Sequence, residues 1–335
     1  MNRKVRWGII GTASIARRRF MPALLKSDKS EAVAIGSRDP GKAQVFASEF
    51  NIAEHYGSYQ EVLNDPNVEA VYIPLPNQMH SEWTIKAANA GKHILCEKPM
   101  ALCAGQAQEM ADHCASKGVL LMEAFMYRLN PRTLKVKEVI ENGMLGEVRT
   151  MIAQFGFTIN PQDYTRLNNT PGAGALMDTG CYCINISRYL FGEEPVAVIA
   201  QQRKHEEFDC DISTSAILEF SGGRTSLISS SFETGFRSAI DVAGSEAVLR
   251  VNRFFTPQNE GVIGFTVETR NMQTHLFETD AVDQFLVETD CFADCIREGR
   301  EIPLDPHKDA VSNARVIDAI RHSAESRCRV EVEKS

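Results

Sequence analysis

The chain lacks several features that would place a protein in a class at once. No apolar run approaches the ~20 residues that a membrane-spanning helix needs. The net charge of −8 argues against nucleic acid or an anionic membrane as a partner, and no internal repeat or low-complexity tract is present. The 43% apolar and 24% charged residues are ordinary globular values. Since 335 residues are too many for one ordinary core, we expect two domains and neither a membrane nor a nucleic-acid partner.

The nine cysteines do not form a metal-binding or disulfide pattern. No pair of Cys-x-x-Cys units occurs, and Cys181 and Cys183 would point their sulfurs in different directions from a helix. Most of the others lie in apolar segments, where cysteine behaves as a small hydrophobe. Arg17-Arg18-Arg19 resembles a twin-arginine export signal, but the apolar stretch after it is short and broken by Pro22. We therefore expect no metal site and a reduced, cytoplasmic setting.

Strand and helix patterns alternate over the first 125 residues. Short apolar runs such as Val5–Ile10, Ala70–Ile73 and His93–Cys96 are separated by helical stretches, one of them opening with Asp39 as a cap before Pro40. Parallel strands need crossover helices, so six short strands alternating with helices predict a doubly wound parallel sheet. The predicted fold class is α/β, with an N-terminal Rossmann domain over residues 1–125.

The pattern changes after residue 125. From about Pro195, apolar and polar residues alternate with period two, and turns such as Ser221-Gly222-Gly223 separate the runs. Helices are predicted over Gly174–Leu190, Val282–Arg297 and Lys308–Ser323. We expect residues 126–335 to form an α+β domain with an open, mainly antiparallel sheet.

The first strand runs directly into a turn of small residues and then into a helix. Such a turn lets backbone N–H groups approach a pyrophosphate, and the helix N-terminus adds the positive end of its dipole. Two small positions of the usual glycine fingerprint are alanines here, so the prediction depends on the position of the turn between strand and helix. The residues predicted to contact the nucleotide are Gly11, Thr12, Ala13, Ser14 and Ile15.

The end of the second strand indicates which nicotinamide cofactor is bound. An acidic residue there binds the ribose 2′-hydroxyl of NAD, whereas arginine accommodates the 2′-phosphate of NADP. Ser37 and Arg38 occupy this place, and arginine suits phosphate as a planar, charged donor. Asp39 is better explained as a helix cap than as a ribose ligand. We therefore expect NADP, with NAD less favoured.

Two short signatures, Glu97-Lys98-Pro99 and Asp178-x-x-x-Tyr182, carry the predicted chemistry. The first follows an apolar strand, so it lies at the carboxyl edge of the sheet, where doubly wound folds bind their ligands. Proline at that place is a candidate for a cis peptide bond. The second signature puts a carboxylate and a phenol on one helical face.

The loop after the fourth strand reaches the same carboxyl edge. Asn77 is the better candidate there, because its amide could reach the cofactor. A lone histidine such as His80 is more often a helix-start or packing residue than a catalyst. The predicted cofactor contacts from this edge are Leu75, Pro76, Asn77, His80, Glu97 and Lys98.

Together these features resemble the family of glucose–fructose oxidoreductase, inositol dehydrogenase and MocA-like proteins. Five segments, in order along both predicted domains, carry the resemblance: Gly8-Ile-Ile-Gly11-Thr, Pro76-Asn77-x-x-His80, Glu97-Lys98-Pro99, Met122-Glu123-Ala-Phe125-Met-Tyr-Arg128 and Gly172-Ala-Gly-Ala-Leu-Met-Asp178-x-Gly-x-Tyr182. Within the family the chain is most similar to dimeric dihydrodiol dehydrogenases and to 3-ketosugar reductases. Val71-Tyr-Ile-Pro-Leu-Pro76 and Asn252-Arg-Phe-Phe-Thr-Pro257 support the latter similarity.

The resemblance implies a dinucleotide-binding domain, a substrate domain, a substrate cleft between them, and a homodimer or homotetramer formed through the C-terminal sheet. It also implies that Lys98 is the catalytic lysine and that Asp178 and Tyr182 face it. Many relatives carry histidine in place of this tyrosine. Arg128, Tyr164 and Arg166 are weaker candidates for substrate contact.

A mechanism follows from ordinary acid–base chemistry. Hydride would move between nicotinamide C4 and the substrate carbon while a proton moves on the oxygen. A tyrosine with its usual pKa of ~10 is a poor base at neutral pH, and a nearby ammonium lowers that pKa. We expect Tyr182 to be the acid/base and Lys98 its electrostatic partner, although the residues leave open which of the two delivers the proton.

The predicted function is an NADP-dependent oxidoreductase acting on a sugar, keto sugar or related cyclic diol. One alternative is a glucose–fructose-type oxidoreductase that never releases its nucleotide. Another is a non-catalytic NADP-binding sensor protein, and the presence of Lys98, Asp178 and Tyr182 counts against it.

Overall fold

The computed structural model describes residues 3–160, 162–163 and 166–333. The chain divides into two compact units, each built from two segments. The first unit combines Met1–Met126 with Asp283–Val311, and the second combines Tyr127–Val282 with Ser312–Ser335. The sequence prediction places Asp283–Val311 in the C-terminal domain, whereas the structure places this segment in the first unit.

The first unit contains a six-stranded sheet in which every pairing is parallel. Its strands are β1 (Val5–Ile10), β2 (Ser30–Gly36), β3 (Glu54–Tyr56), β4 (Ala70–Ile73), β5 (His93–Cys96) and β6 (Leu121–Glu123). They lie in the order β3-β2-β1-β4-β5-β6. The order reverses between β1 and β4, and in doubly wound folds ligands bind at such a switch point. The predicted Rossmann topology is therefore confirmed.

Short helices connect these strands, and one further helix comes from the C-terminal segment. They are α1 (Met21–Leu24), α2 (Pro40–Phe50), α3 (Tyr59–Asn64), α4 (His80–Asn89), α5 (Ala104–Ser116) and, from the later segment, α8 (Gln284–Glu298). The chain before α1 forms a π-helical turn over Ala16–Phe20. The π-helical turn continues directly into α1, and Pro22, which has no backbone N–H to donate, lies in the first turn of α1.

The side chains of α8 explain why Asp283–Val311 belongs to the first unit. Arg297 donates from Nη2 to Oε2 of Glu69 over 2.8 Å, and Phe292 packs its ring 5.7 Å from that of Trp7. Burial opposes ionisation of Glu69, but hydrogen bonds from Arg297 and Arg6 lower the pKa of its carboxyl to about 2. Contacts of this kind join distant parts of the chain, and a local pattern cannot predict them.

The second unit is built on a nine-stranded sheet. Its strands are β7 (Val148–Gly156), β8 (Ala197–Lys204), β9 (Asp211–Glu219), β10 (Thr225–Ser231), β11 (Arg237–Gly244), β12 (Ala247–Asn252), β13 (Val262–Thr269), β14 (Thr274–Asp280) and β15 (Val330–Glu331). They lie in the order β14-β13-β12-β11-β7-β10-β9-β8-β15. Only the described pair β7–β10 is parallel and the other pairings are antiparallel, which confirms the expected mainly antiparallel sheet.

Three helices accompany this sheet: α6 (Pro131–Glu141), α7 (Cys181–Phe191) and α9 (Ala310–Ser326). Helix α7 packs on β7 and β10, and alternate residues of β7, such as Met151 and Ala153, are buried. The residue between them, Ile152, is 40% exposed on the opposite face. Within the part of the chain that the structure describes, no helix has the length and apolarity to span a membrane.

Candidate active site

The predicted phosphate turn lies at the carboxyl end of β1 and depends on Gly11. This residue has a φ of +106°, and a Cβ added to it would lie 3.0 Å from Cδ2 of Leu75. Its N–H donates to the carbonyl of Gly36 over 2.9 Å, which joins the turn to the end of β2. The positive φ favours glycine here, and the side chain of Leu75 leaves little room for a Cβ.

An open depression lies beside this turn. Thr12, Ser37 and Arg38, all predicted as cofactor contacts, line it together with three residues that sequence reasoning did not select: Asp39, Lys42 and Tyr59. A second open depression is lined by Thr12, Asp39 and Lys42 together with Arg17, Gly41 and Val45. The sequence does carry a signal for Lys42 and Arg17 as cofactor contacts, because they are basic residues in the helical segments that follow β2 and β1, respectively.

Asp39 is the N-cap of α2, as predicted. Its side chain accepts from the N–H of Lys42 over 3.1 Å, while its own N–H donates to Oγ of Ser37 over 3.2 Å. The carboxylate is therefore engaged with the backbone of its own helix. The lysine and arginine side chains remain as the cationic groups of the depression.

His80, predicted as a cofactor contact, is fully buried and faces the chain itself. Its Nδ1 lies 2.9 Å from the carbonyl oxygen of Pro99, and its Nε2 lies 2.8 Å from that of Leu75. Burial lowers the pKa of the imidazole, and a neutral ring can donate to only one of the two carbonyls. The ring therefore joins the loop after β4 to the loop after β5, as a packing histidine does.

The Glu97-Lys98-Pro99 turn follows β5 and is fixed on both sides of the lysine. Glu97 accepts at Oε1 from the hydroxyl of Tyr72 over 2.6 Å, and at Oε2 from the N–H of Lys98 over 3.2 Å. The Lys98–Pro99 peptide bond is cis, as expected. Glu97 and Pro99 are buried whereas Lys98 is partly exposed. The lysine therefore stands between two buried residues that are hydrogen-bonded to neighbouring segments.

The segment that carries Asp178 is not a regular α-helix. Leu176–Gly180 is π-helical and continues as α7, which carries Tyr182. The tyrosine is only 5% exposed, and its ring lies 5.6 Å from that of Tyr127, 5.3 Å from that of Phe155 and 5.4 Å from that of Phe255. These aromatic contacts fix the position of the phenol ring.

Arg166 and Asp178, both predicted as substrate contacts, are bonded to each other. The guanidinium donates from Nε to Oδ2 of Asp178 over 2.8 Å, and from Nη1 to Oδ2 of Asp163 over 2.7 Å. The Asp178 carboxylate raises the pKa of Arg166. Arg166 is therefore a partner of two carboxylates. Tyr164, another predicted substrate contact, lies outside the described residues.

Arg128 is held on the surface of α7. It donates from Nη1 to Oδ1 of Asn185 over 3.0 Å, and its guanidinium lies 3.8 Å from the centre of the Tyr189 ring. The hydroxyl of Tyr127 donates to the same Asn185 oxygen over 2.5 Å. These contacts join the start of the second unit to the helix that carries Tyr182.

The predicted site residues fall into two sets. The nucleotide contacts, Glu97 and Lys98 belong to the first unit, and Arg128, Asp178 and Tyr182 belong to the second. Across the described ranges, no group of three or more histidine, cysteine, aspartate or glutamate side chains is arranged to hold a metal ion.

The parallel sheet and its glycine-dependent phosphate turn define the first unit as a dinucleotide-binding fold. The family model described as an oxidoreductase family with an NAD-binding Rossmann fold matches residues 5–125, and the GFO/IDH/MocA C-terminal domain matches residues 133–250. The chain belongs to the GFO/IDH/MocA family of oxidoreductases, which confirms the resemblance inferred from its motifs.

Relatives with named activities match almost the whole chain. The D-xylose 1-dehydrogenase (NADP(+)) 2 of Haloferax volcanii is 36% identical over 98% of this chain and 99% of its own length. The trans-1,2-dihydrobenzene-1,2-diol dehydrogenase of Mus musculus is 31% identical over 95% and 96%. Among solved structures, the 3-ketoreductase KijD10 of Actinomadura kijaniata, in complex with NADP and TDP-benzene, superposes with a TM-score of 0.91 at 32% identity, covering 96% of this chain and 98% of KijD10.

Proposed function

We propose that this protein is an NADP-dependent oxidoreductase that transfers a hydride between the nicotinamide and a sugar, keto sugar or related cyclic diol. The observation that carries the proposal is the position of Lys98 at the edge of the sheet. A partly exposed lysine stands between two buried residues at the carboxyl end of β5, on the edge of the sheet where the phosphate turn also lies. The named activities of the relatives fit this chemistry.

The residues around the phosphate turn fit NADP. Gly11 gives the turn the positive φ that it needs, and Arg38 and Lys42 provide cationic groups for a 2′-phosphate. Asp39, the acidic residue nearest in sequence, is engaged as a helix cap. NADP, when bound, supplies or accepts the hydride. The preference for NADP over NAD rests on these cations.

The catalytic roles are assigned to three residues. Tyr182 gives or takes the proton at the substrate oxygen, and its buried ring has little freedom to move. Lys98 stabilises negative charge on that oxygen through its ammonium group. Asp178 orients a substrate hydroxyl, and the bond to Arg166 fixes the direction of its carboxylate.

A spectrophotometric screen tests the proposal. Aldoses, ketoses, inositols, 3-keto sugars and trans-dihydrodiols are offered with NADP(H) and with NAD(H), and the absorbance of the reduced nicotinamide is followed. We expect turnover with at least one of these substrate classes and a preference for NADP(H). Nucleotide that stays bound through dialysis would favour the recycling glucose–fructose type of reaction. Absence of any reaction across the panel would favour a non-catalytic NADP-binding sensor.

The Lys98→Met variant tests the assignment of the lysine. We expect turnover to fall by about 10²-fold or more, because a positioned charge is lost at the reacting oxygen. Lys86→Met is the matched control, since Lys86 is partly exposed on α4 and paired with Glu82. Near-normal turnover of the Lys98 variant would refute its role.

We further propose that two copies of the chain associate through the exposed face of the nine-stranded sheet. Four exposed apolar residues lie in register on neighbouring strands: Ile199, Ile217, Leu227 and Ile152. A contiguous apolar row on a sheet face is typical of a protein interface. The dimeric or tetrameric state implied by the family resemblance would cover it.

A further inference from the structure

Asp211 is a buried carboxyl group that the proposed chemistry does not use. It is the first residue of β9 and is 8% exposed. Its Oδ2 accepts from the N–H of Leu176 over 2.8 Å and from Oγ1 of Thr214 over 2.7 Å. Thr214 in turn accepts from Nε2 of Gln202 over 3.0 Å, which fixes the hydroxyl. Burial raises the pKa of Asp211, while the hydrogen bonds from Thr214 and Leu176 oppose that effect.

The turn before the helix passes directly against this carboxyl group. Gly174 has a φ of +108°, and a Cβ added to it would lie 2.2 Å from Oδ1 of Asp211. The N–H of Gly174 donates to the carbonyl of Arg166 over 3.2 Å. The residue at 174 must therefore be glycine, and the same turn also holds the backbone of Arg166.

The bond to Leu176 lies at the beginning of the helical segment. Leu176 is the first residue of the π-helical turn, so its N–H belongs to the donors that a helix leaves unsatisfied at its N-terminus. No side chain of the preceding residue caps this end. A carboxylate 35 residues away in sequence supplies the acceptor instead. Asp178 follows two residues later and Tyr182 six residues later.

We propose that Asp211 is a positioning residue that fixes the start of the helix carrying Asp178 and Tyr182, and with it the Arg166–Asp178 pair. The proposal rests on the proposed function, because it assigns Asp178 and Tyr182 a role in turnover. Asp211 itself does not act on the substrate. Its effect passes through the Leu176 N–H and the turn at Gly174.

The test compares Asp211→Ala with Asp211→Asn, which keeps an acceptor oxygen for Leu176 and Thr214. The matched control is Asp209→Ala, since Asp209 is exposed and paired with Lys204 over 2.8 Å. We expect the alanine variant to lose about tenfold or more in kcat, because small displacements of catalytic groups are costly. The asparagine variant should stay within about threefold of the wild type, because its acceptor oxygen keeps the helix start in place.

Two readouts separate positioning from general damage to the fold. The dissociation constant for NADPH should change less than about twofold, since the predicted nucleotide contacts lie in the first unit. Hydrogen exchange should rise in the peptide covering residues 174–182 of the alanine variant and stay unchanged in the asparagine variant. If the alanine variant does not fold, Asp211→Ser takes its place, because its small polar side chain adds no bulk against Gly174 and is too short to replace the carboxylate bond to Leu176.

Three results would overturn the proposal: unchanged kcat and exchange in the alanine variant, equal losses in the alanine and asparagine variants, or a parallel loss of NADPH binding. If the wild type turns over no sugar or diol, the proposed function fails. The exchange measurement then still decides whether Asp211 fixes the helix start, so the two failures are distinguishable.

Discussion

Arg166 donates from its Nε to Oδ2 of Asp178 over 2.8 Å, so two residues predicted as separate substrate contacts form one charged pair. The arginine also bonds Asp163, and its guanidinium lies 5.9 Å from the centre of the Phe157 ring. Each of these contacts limits the directions that the Asp178 carboxylate can take. We therefore expect Arg166 to affect the proposed reaction by holding Asp178 in place.

Replacing Arg166 tests this relationship. Arg166→Met should lower kcat/KM by about tenfold to a hundredfold, because an oriented carboxylate loses its charged partner. Arg166→Lys should lose less, since it keeps the charge but not the planar donor group. Steady-state kinetics measure both variants, and Arg203→Met serves as the control for an exposed arginine paired with Glu233. Equal kinetics of the methionine variant and the wild type would contradict the assignment.

Replacing Arg38 or Lys42 tests the nucleotide preference. Either alanine variant should lower kcat/KM for NADP(H) by about tenfold to a hundredfold, because a charge-assisted bond to a phosphate is lost. The value for NAD(H) should change little, since that nucleotide lacks the 2′-phosphate. The measurement is the ratio of the two specificity constants, with Lys86→Ala as control. A parallel fall for both nucleotides would place these cations elsewhere than at the 2′-phosphate.

Replacing Ile217 tests the proposed interface on the sheet. Ile217 lies between Ile199 and Leu227 in the apolar row, so Ile217→Asp would place a charge in the middle of the contact. Light scattering should then show a shift towards monomer at a concentration where the wild type is a dimer or tetramer. Leu25→Asp, at an exposed leucine of the first unit, should leave the mass unchanged. A monomeric wild type at working concentration would refute the interface.

Glu288 should make the stability of the protein depend on pH. The residue is 1% exposed, and its Oε2 has no hydrogen-bond partner among the residues that the structure describes. Burial, reinforced by the charge of Glu97, raises the pKa of Glu288 well above its usual value of 4.5. The neutral acid therefore stabilises the folded state below pH 4.5, and this contribution is lost as the pH rises through the folded-state pKa.

The Glu288→Gln variant removes this titration and keeps the shape of the neutral acid. At pH 8 it should raise the Tm by about 2–4 °C or more relative to the wild type. The difference should shrink towards pH 4, where the wild-type carboxyl is protonated in both states. Thermal unfolding at the two pH values measures it, with the exposed Glu82→Gln as control. A variant that is less stable than the wild type at pH 8 would show that Glu288 is ionised in the fold.

The pattern of apolar residues and caps was enough to predict most secondary structure and the topology of the first unit. The strand Val5–Ile10 and the cap at Asp39 agree with the structure, because each depends only on residues that are close together in sequence. The signatures around Lys98 and Tyr182 were also sufficient for the family, because they are contiguous in sequence.

The sequence did not indicate which distant segments come together. Three features show this: Asp283–Val311 packs in the first unit, His80 is buried between two loops, and Asp178 and Asp211 bond to other segments. The residues in these contacts lie far apart in sequence or follow no periodic pattern. The sequence by itself determined the local elements, the family and the candidate catalytic residues, because those follow from neighbouring residues. Only the tertiary structure decided which charged groups hold one another, because that depends on burial and on contacts between separate elements.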